Sequence, residues 1–305
     1  MQRFDAAAMS PPTAEAILAD PLFPHARLAY VDAVLDLYES NPPLVELMRD
    51  AARILTYGIV MSYWGGYRPD ERTSWLTVSR LKETIALFDV ASDRQVDHIV
   101  SRLVDTGFVT LRRPDEDSRL RVILPTPVMI AHDLDWMRAH YLPLAHLYGE
   151  AAYAPAIRRD PAFHPQLRAA SITLFPHIAR NVLSQNTAMT RFLNRAVGIL
   201  TLMKFVRKLA GRDVPVISYG DLGGAFGVSR THVRGMFSTA ARHGEAQLIE
   251  RGRFALAPSL LRGFDRLVAD GMVVSAIAYR RAAEAAGPGP DRAIYAKSSI
   301  DRPGA

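Results

Sequence analysis

Ser92-Asp93-Arg94-Gln95-Val96-Asp97-His98-Ile99-Val100-Ser101-Arg102-Leu103-Val104-Asp105-Thr106-Gly107 is the stretch on which the fold turns. The Ser92 hydroxyl suits a helix N-cap, and Gln95 three residues on completes a capping box. Val96, Ile99, Val100 and Leu103 recur at three- and four-residue steps, which predicts the buried stripe of one helix. Gly107 is its stop signal. Outward from there, Leu81–Phe88 predicts a shorter helix, joined through a turn at Asp89-Val90-Ala91. On the other side, Phe108-Val109-Thr110-Leu111 and Arg121-Val122-Ile123-Leu124 predict two strands around a polar hairpin from Arg112 to Leu120.

Helix, turn, helix, strand, charged hairpin, strand is the order of a winged helix-turn-helix. The same order recurs further on. Asp221–Phe226 predicts the short helix and Gly227-Val228 the turn. Ser229 is the cap, and Val233, Met236, Phe237 and Ala240 are the stripe. Leu248 to Leu256 predicts a shorter wing. Other matches bracket these. Leu22-Phe23-Pro24-His25 returns as Leu174-Phe175-Pro176-His177, and Ile54-Leu55-Thr56 as Ile199-Leu200-Thr201. Phe88-Asp89-Val90 matches Phe226-Gly227-Val228, Gly107 matches Gly244, and Leu124-Pro125-Thr126-Pro127 matches Leu256-Ala257-Pro258-Ser259. The offsets run 152, 145, 138, 137 and 132, falling steadily along the chain. Five matches in one order point to duplication. A long helix before each helix-turn-helix is expected, through Leu44, Leu47, Met48, Ala51, Leu55 and Ile59, then Phe192, Leu193, Ala196, Ile199, Leu200 and Met203.

The expected fold class is therefore mainly α with small β-wings, two tandem winged helix-turn-helix units sharing a helical scaffold. The expected organisation is an N-terminal segment at 1–20, a first unit at 21–148, a linker at 149–167, a second unit at 168–283 and a disordered tail at 284–305. The 305 residues suit two domains, with 49% hydrophobic and 22% charged residues, a globular balance. There is no cysteine, which excludes disulfides, thiolate metal sites and thiol nucleophiles. No cofactor is expected. No basic segment followed by an apolar core opens the chain, and no apolar run approaches the roughly 20 residues of a membrane span. The expectation is a cytoplasmic, nucleoid-associated bacterial protein with no membrane partner.

The net charge is +6, and arginine far outnumbers lysine. Double-stranded DNA is the natural partner, because each phosphate neutralised releases counterions. The first turns of a recognition helix enter the major groove. There the outward residues are Arg94, Gln95, His98 and Arg102 in unit one, and Arg230, Thr231, His232 and Arg234 in unit two. Arginine forks onto guanine and glutamine pairs with adenine. The wings offer Arg112, Arg113, Arg119 and Arg121, then Arg251 and Arg253, for phosphate or the minor groove.

From about Leu44 to Leu147 the first unit resembles the MarR-type winged-helix transcriptional regulators. The resemblance rests on Leu103-Val104-Asp105-Thr106-Gly107-Phe108-Val109 and on the wing Arg112-Arg113-Pro114-Asp115-Glu116-Asp117-Ser118-Arg119. Family members carry Asp-Arg-Arg at the wing; here Asp117-Ser118-Arg119 keeps the acid and one arginine. The resemblance implies that Asp117 braces the wing and Arg119 reaches the minor groove. It also implies a role in repression relieved by a small ligand, or in activation. The family's members are homodimers, so two units in one chain would play the two subunits. The second unit lacks the Asp-x-Arg element.

The copies differ where they would read DNA, which predicts an asymmetric operator. They also differ on the scaffold. Tyr57, Tyr63, Trp64 and Tyr67 stand where unit two has Leu202, Lys208, Leu209 and Arg212. These aromatics are candidates for a pocket holding a small-molecule effector, with core packing as the other reading. Gly223-Gly224 inside a short helix reads either as close packing or as a degraded second copy. His132, His140 and His146 lack metal-ligand spacing, and no nucleophile or phosphate-loop motif appears, so no enzyme is expected. Two further readings stand beside the regulator. One is a plasmid-type replication initiator with tandem winged helices. The other is a regulator in which one winged helix binds another regulatory protein.

Overall fold

Thr13 opens the structured chain by accepting a hydrogen bond from the Ala16 N–H, which caps α1 (Ala14–Ala19). The computed structural model describes residues 10–39, 41–114, 117, 119–210, 218–249 and 253–286. Pro24 follows in the first turn of α2 (Phe23–Tyr38), where its fixed dihedral costs nothing. A short α3 (Pro42–Val45) and a 3₁₀ turn lead to Asp50. Its carboxylate accepts from the Arg53 N–H and starts α4 (Ala51–Gly65). Then come α5 (Val78–Ala86), α6 (Asp93–Asp105), β1 (Val109–Arg112), β2 (Val122–Pro125) and α7 (Pro127–Tyr148). Two short helices, α8 (Ala154–Ile157) and α9 (His164–Ser171), cross to the second half. There α10 (Phe175–His177) continues as a π-helical turn over Ile178–Leu183. The remainder is α11 (Thr187–Leu193), α12 (Gly198–Leu209), α13 (Tyr219–Gly224), α14 (Arg230–Arg242), β3 (Ala246–Ile249), β4 (Arg253–Leu256) and α15 (Pro258–Ala285). The fold is mainly helical, with two small antiparallel sheets.

Among the described residues the order helix, helix, strand, strand, long helix occurs twice, and α6 and α14 agree in length, cap and buried positions. Both α6 and α14 have 13 residues and a serine cap in extended conformation, Ser92 and Ser229. Val96, Ile99, Val100 and Leu103 are buried, and so are Val233, Met236, Phe237 and Ala240, each 137 positions on. Both helices end on a glycine in the left-handed region, Gly107 at φ 75° and Gly244 at φ 69°. In both, the next amide returns to the carbonyl five residues back at 2.9 Å, Phe108 to Leu103 and Glu245 to Ala240. This closure satisfies carbonyls that a helix end would otherwise leave unpaired.

Several expectations change. The long helix expected from Leu44 is broken at Asp50, and its counterpart is broken between Leu193 and Gly198. Asp50 takes an extended backbone to cap α4, which ends the preceding turn. The strand register pairs Val109 with Pro125 and Ala246 with Leu256, so the last repeat match lies at an offset of 131, not 132. The segment 149–167 is not a free linker: Tyr153, Ile157 and Leu167 are buried in the core. The N-terminal segment contributes Ile17, fully buried, with α1 lying against α15. Helix α15 runs past 283, and residues 287–305 of the expected tail lie outside the described residues. Finally, Trp75 to Thr77 adds a third backbone segment to the first sheet. The Ile123 N–H donates to the Leu76 carbonyl at 2.8 Å, and Thr77 bridges Val122.

The scaffold interlocks the halves. Helix α2 packs on α7 and also on α12, where Glu39 meets Arg207 at 2.6 Å and Lys204 at 3.3 Å. Helix α15 packs on α7, and the Tyr141 hydroxyl donates to the Ser275 carbonyl at 2.7 Å. Arg27 pairs with Asp265 at 2.7 Å. Burying this apolar surface between halves is the main stabilising term, at about 25 cal/mol per Å².

Candidate nucleic-acid interface

Helix α6 faces outward with Arg94, Gln95, His98 and Arg102, all exposed. Gln95 is not free, however. Its side-chain oxygen accepts from the Ser92 N–H at 2.8 Å, completing the capping box. The cap occupies the amide oxygen and leaves the side-chain N–H donors of this exposed residue. Asp93 and Asp97 share the face, and Lys82 of α5 offsets them at 3.9 and 2.8 Å. Arg94, Gln95, His98 and Arg102 are the outward donors of this helix.

The first wing presents Arg112, Arg113, Arg119 and Arg121, all exposed. Asp117 accepts from the Arg119 N–H at 3.1 Å and pairs with Arg72 at 3.6 Å. It therefore fixes the hairpin locally and ties it to the segment that precedes the third strand.

Helix α14 places Arg230, Thr231 and Arg234 outward. His232 differs: it is half-buried, and its Nε2 donates to the Ala196 carbonyl at 2.9 Å. It joins α14 to the turn that precedes α12. Arg230 lies back over α13, where a Cβ on Gly220 would come within 2.8 Å of its Nε. Gly223 is the close-packing glycine of the Gly223-Gly224 pair. A Cβ there would lie 2.8 Å from the Val228 carbonyl oxygen and from Val233 Cγ2, whereas Gly224 faces open space. Arg251 and the side chain of Arg253 lie outside the described residues.

The two faces meet. One groove runs between Arg94, Gln95 and His98 on α6, Asp50 to Arg53 at the start of α4, and Asn194. A second runs between Thr231, His232 and Gly235 on α14 and Arg195. Asn194 and Arg195 are neighbours, and the Val197 N–H donates to the Arg49 carbonyl at 2.6 Å across the halves. Arg53, Asn194 and Arg195 thus belong to this surface and were not foreseen. Arg53 lies in the first turn of α4, and Asn194 and Arg195 follow α11, so the apolar periodicity does not mark them.

Away from that face, α7, α4 and α9 hold a buried polar cluster. Asp133 has no exposure, and Arg168 grips it through two nitrogens, with Nε at 2.7 Å. His164 Nε2 adds a third bond at 2.5 Å. Burial alone pushes the Asp133 carboxyl up, but the Arg168 charge and the bonds from His164 and Arg168 outweigh it and hold it well below the usual range. The Arg168 guanidinium lies 4.8 Å over the Trp136 ring. His140 stacks on Trp136, and its Nδ1 donates to the Trp136 carbonyl at 2.9 Å. Burial lowers the His140 pKa to about 4, so it is neutral near pH 7 and its Nε2 accepts from the Tyr30 hydroxyl.

A cavity of about 280 Å³ opens beside this cluster, between α4, α7, α12 and α15. None of Tyr57, Tyr63, Trp64 and Tyr67 lines it. Tyr57 is buried on another face of α4 with its hydroxyl 2.9 Å from His132 Nδ1. Trp64 packs on His164, with 5.3 Å between ring centroids, and Tyr63 and Tyr67 are half-buried. The α4 residues that do line the cavity include Leu55, Gly58 and Ser62. Compared with family models, curated proteins and solved structures, the chain matches none. Among the described residues no three His, Asp or Glu side chains group as a metal site, and no helix is long and apolar enough to cross a membrane.

Proposed function

We propose that the chain is a sequence-specific, double-stranded DNA-binding transcriptional regulator, two winged helix-turn-helix units fused as a single-chain pseudo-dimer. The observation that carries this reading is the pair α6 and α14. Cap, length, buried stripe and left-handed glycine agree at one offset, each helix is followed by a hairpin, and the exposed faces adjoin at Asn194-Arg195. The element order agrees with the MarR-type resemblance. In a homodimer the two faces would be identical; here they are not, so the operator is asymmetric. Unit one is the stronger reader, with Arg94, His98 and Arg102 outward and four exposed wing arginines.

The test is selection of binding sites from random duplex DNA, then footprinting and affinity measured against salt. The expected result is one preferred site with two unlike halves. The affinity should fall linearly on a log–log salt plot, with a slope set by the phosphates contacted. A perfect inverted repeat would overturn the asymmetry, and no selected site with a flat salt response would overturn DNA binding. A second reading has one observation in its favour: His232 is bound to Ala196 and Arg230 lies over Gly220, which thins the unit-two face. In that reading α14 docks another regulatory protein. Charge reversal at Arg230 and Arg234 that leaves DNA affinity unchanged selects it.

A further inference from the structure

The cavity in the scaffold is lined by residues from both halves of the chain. Both members of several repeat pairs line it: Leu55 with Leu200 at the offset of 145, Trp136 with Leu267 and His140 with Gly271 at 131. Gly58 with Met203 and Tyr30 with Val182 do the same. At about 280 Å³ it is larger than the roughly 150 Å³ engineered cavity that stays dry and takes up benzene. Two of its walls are mid-helix glycines, Gly58 and Gly271, where an added Cβ would meet nothing within 4 Å. Alanine at such a position would fit and would favour the helix by about 1 kcal/mol. The space is therefore kept against both packing and helix propensity.

One donor on the wall, Trp136 Nε1, is buried without a partner, and other polar groups there are spent. The Ser62 hydroxyl donates to the Gly58 carbonyl, Tyr30 to His140, and Tyr141 to the Ser275 carbonyl, while Arg168 holds Asp133 through two nitrogens. A charged ligand would enter with little to replace its water. The wall is also unequal: α7 contributes Trp136 and His140 where α15 contributes Leu267 and Gly271, so an occupant has one orientation. We propose that this is a single small-molecule site, one per chain, for an uncharged hydrophobic ligand. The inference rests on the duplication within the proposed function but not on DNA binding.

The probe is N-phenyl-1-naphthylamine, titrated by fluorescence and calorimetry into the full chain without DNA. Its anionic relative, 1-anilinonaphthalene-8-sulfonate, is run in parallel. The expected result is one bound N-phenyl-1-naphthylamine per chain, with the sulfonate at least tenfold weaker. Gly271→Ala should weaken binding several-fold and Gly271→Leu should abolish it, with Tm held or raised; Gly58→Ala repeats the test from the other side. No binding to the folded chain, a stoichiometry of two, tighter binding of the sulfonate, or binding indifferent to the filling variants that fold would each overturn the proposal. Because DNA is absent, a chain that fails to select a DNA site still tests this one.

Discussion

Helices α7 and α15 occupy the same place in the two halves, yet they are built on opposite chemistry. Met129 of α7 and Leu260 of α15, 131 positions apart, are both fully buried after a proline in the first turn. One turn further on, Asp133 meets Phe264, and neither has any exposure. One half thus closes its core with an acid gripped by Arg168 and His164, and the other with a ring. The matching place on α15 thus carries an apolar side chain where α7 carries a charge. The expectation is that the ion cluster tolerates joint replacement but not the loss of one member. Replacing Arg168 by Met leaves Asp133 buried with His164 as its remaining side-chain partner and removes the guanidinium that balances its charge, which is expected to cost about 3–5 kcal/mol. Arg168→Met combined with Asp133→Leu should recover most of that loss. Urea unfolding of the single and double variants decides it, and an additive double variant would break the comparison.

The same asymmetry makes one half acid-sensitive. His140 of α7 has a pKa lowered to about 4 by burial, while its counterpart on α15 is Gly271, which does not titrate. A histidine whose folded pKa is depressed binds fewer protons folded than unfolded. Its stabilising contribution is complete above about pH 6.5 and is lost as pH falls toward 4. At about 1.4 kcal/mol per unit, the loss approaches 3 kcal/mol. His132, lowered in the same direction by burial, steepens the fall. A Tm profile from pH 7 to 4 should therefore drop, and His140→Gln should flatten it. A profile that stays level in the native chain would remove His140 from this account.

How much of this was legible in the sequence follows the range of the interactions. Ser92, Gln95 and Gly107 act within a few residues of themselves, so cap, stripe and stop were readable in both copies. The strand pairing of Trp75 to Thr77 with β2 was not, because an isolated tripeptide before a helix carries no alternation to betray it. Asp133 sits in the apolar row of Met129, Met137 and Tyr141, and its partner lies 35 residues away; its place in that row was the available clue. The sequence offers large aromatic side chains on and just after α4 as pocket candidates. The cavity is formed instead beside Gly58, where a side chain is missing, and absence has no periodicity. The break at Asp50 was masked by apolar residues that keep helical spacing on both sides of it.

On the exposed faces the comparison predicts unequal effects. If Arg94 forks onto a base, Arg94→Ala costs about 1–3 kcal/mol, a loss of roughly 5- to 150-fold in affinity for the selected site, with relaxed specificity in that half-site. Arg234→Ala should cost less, because unit two offers fewer outward donors. His232→Ala should leave DNA affinity within about threefold while lowering Tm, since its ring joins α14 to the Ala196 carbonyl. Gel-shift titration of the three variants on one duplex measures all of this. Equal losses at Arg94 and Arg234 would make the two units equal readers.

The smallest expected effect tests the part of the comparison that does not diverge. Gly107 and Gly244 end α6 and α14 at φ 75° and 69°, and at neither would an added Cβ meet a neighbour. Alanine therefore fits both sites in space and is penalised only by the left-handed backbone, which costs an L-residue roughly 1–2 kcal/mol. Because φ and the surrounding openness agree, the two costs should agree as well, to within a few tenths of a kcal/mol. Thermal unfolding of Gly107→Ala and Gly244→Ala gives the two numbers directly. A large difference would mean that α6 and α14 share a hydrogen-bond pattern without sharing its energetics. Equal costs would place the divergence of the two copies in what their helices present, not in how those helices are made.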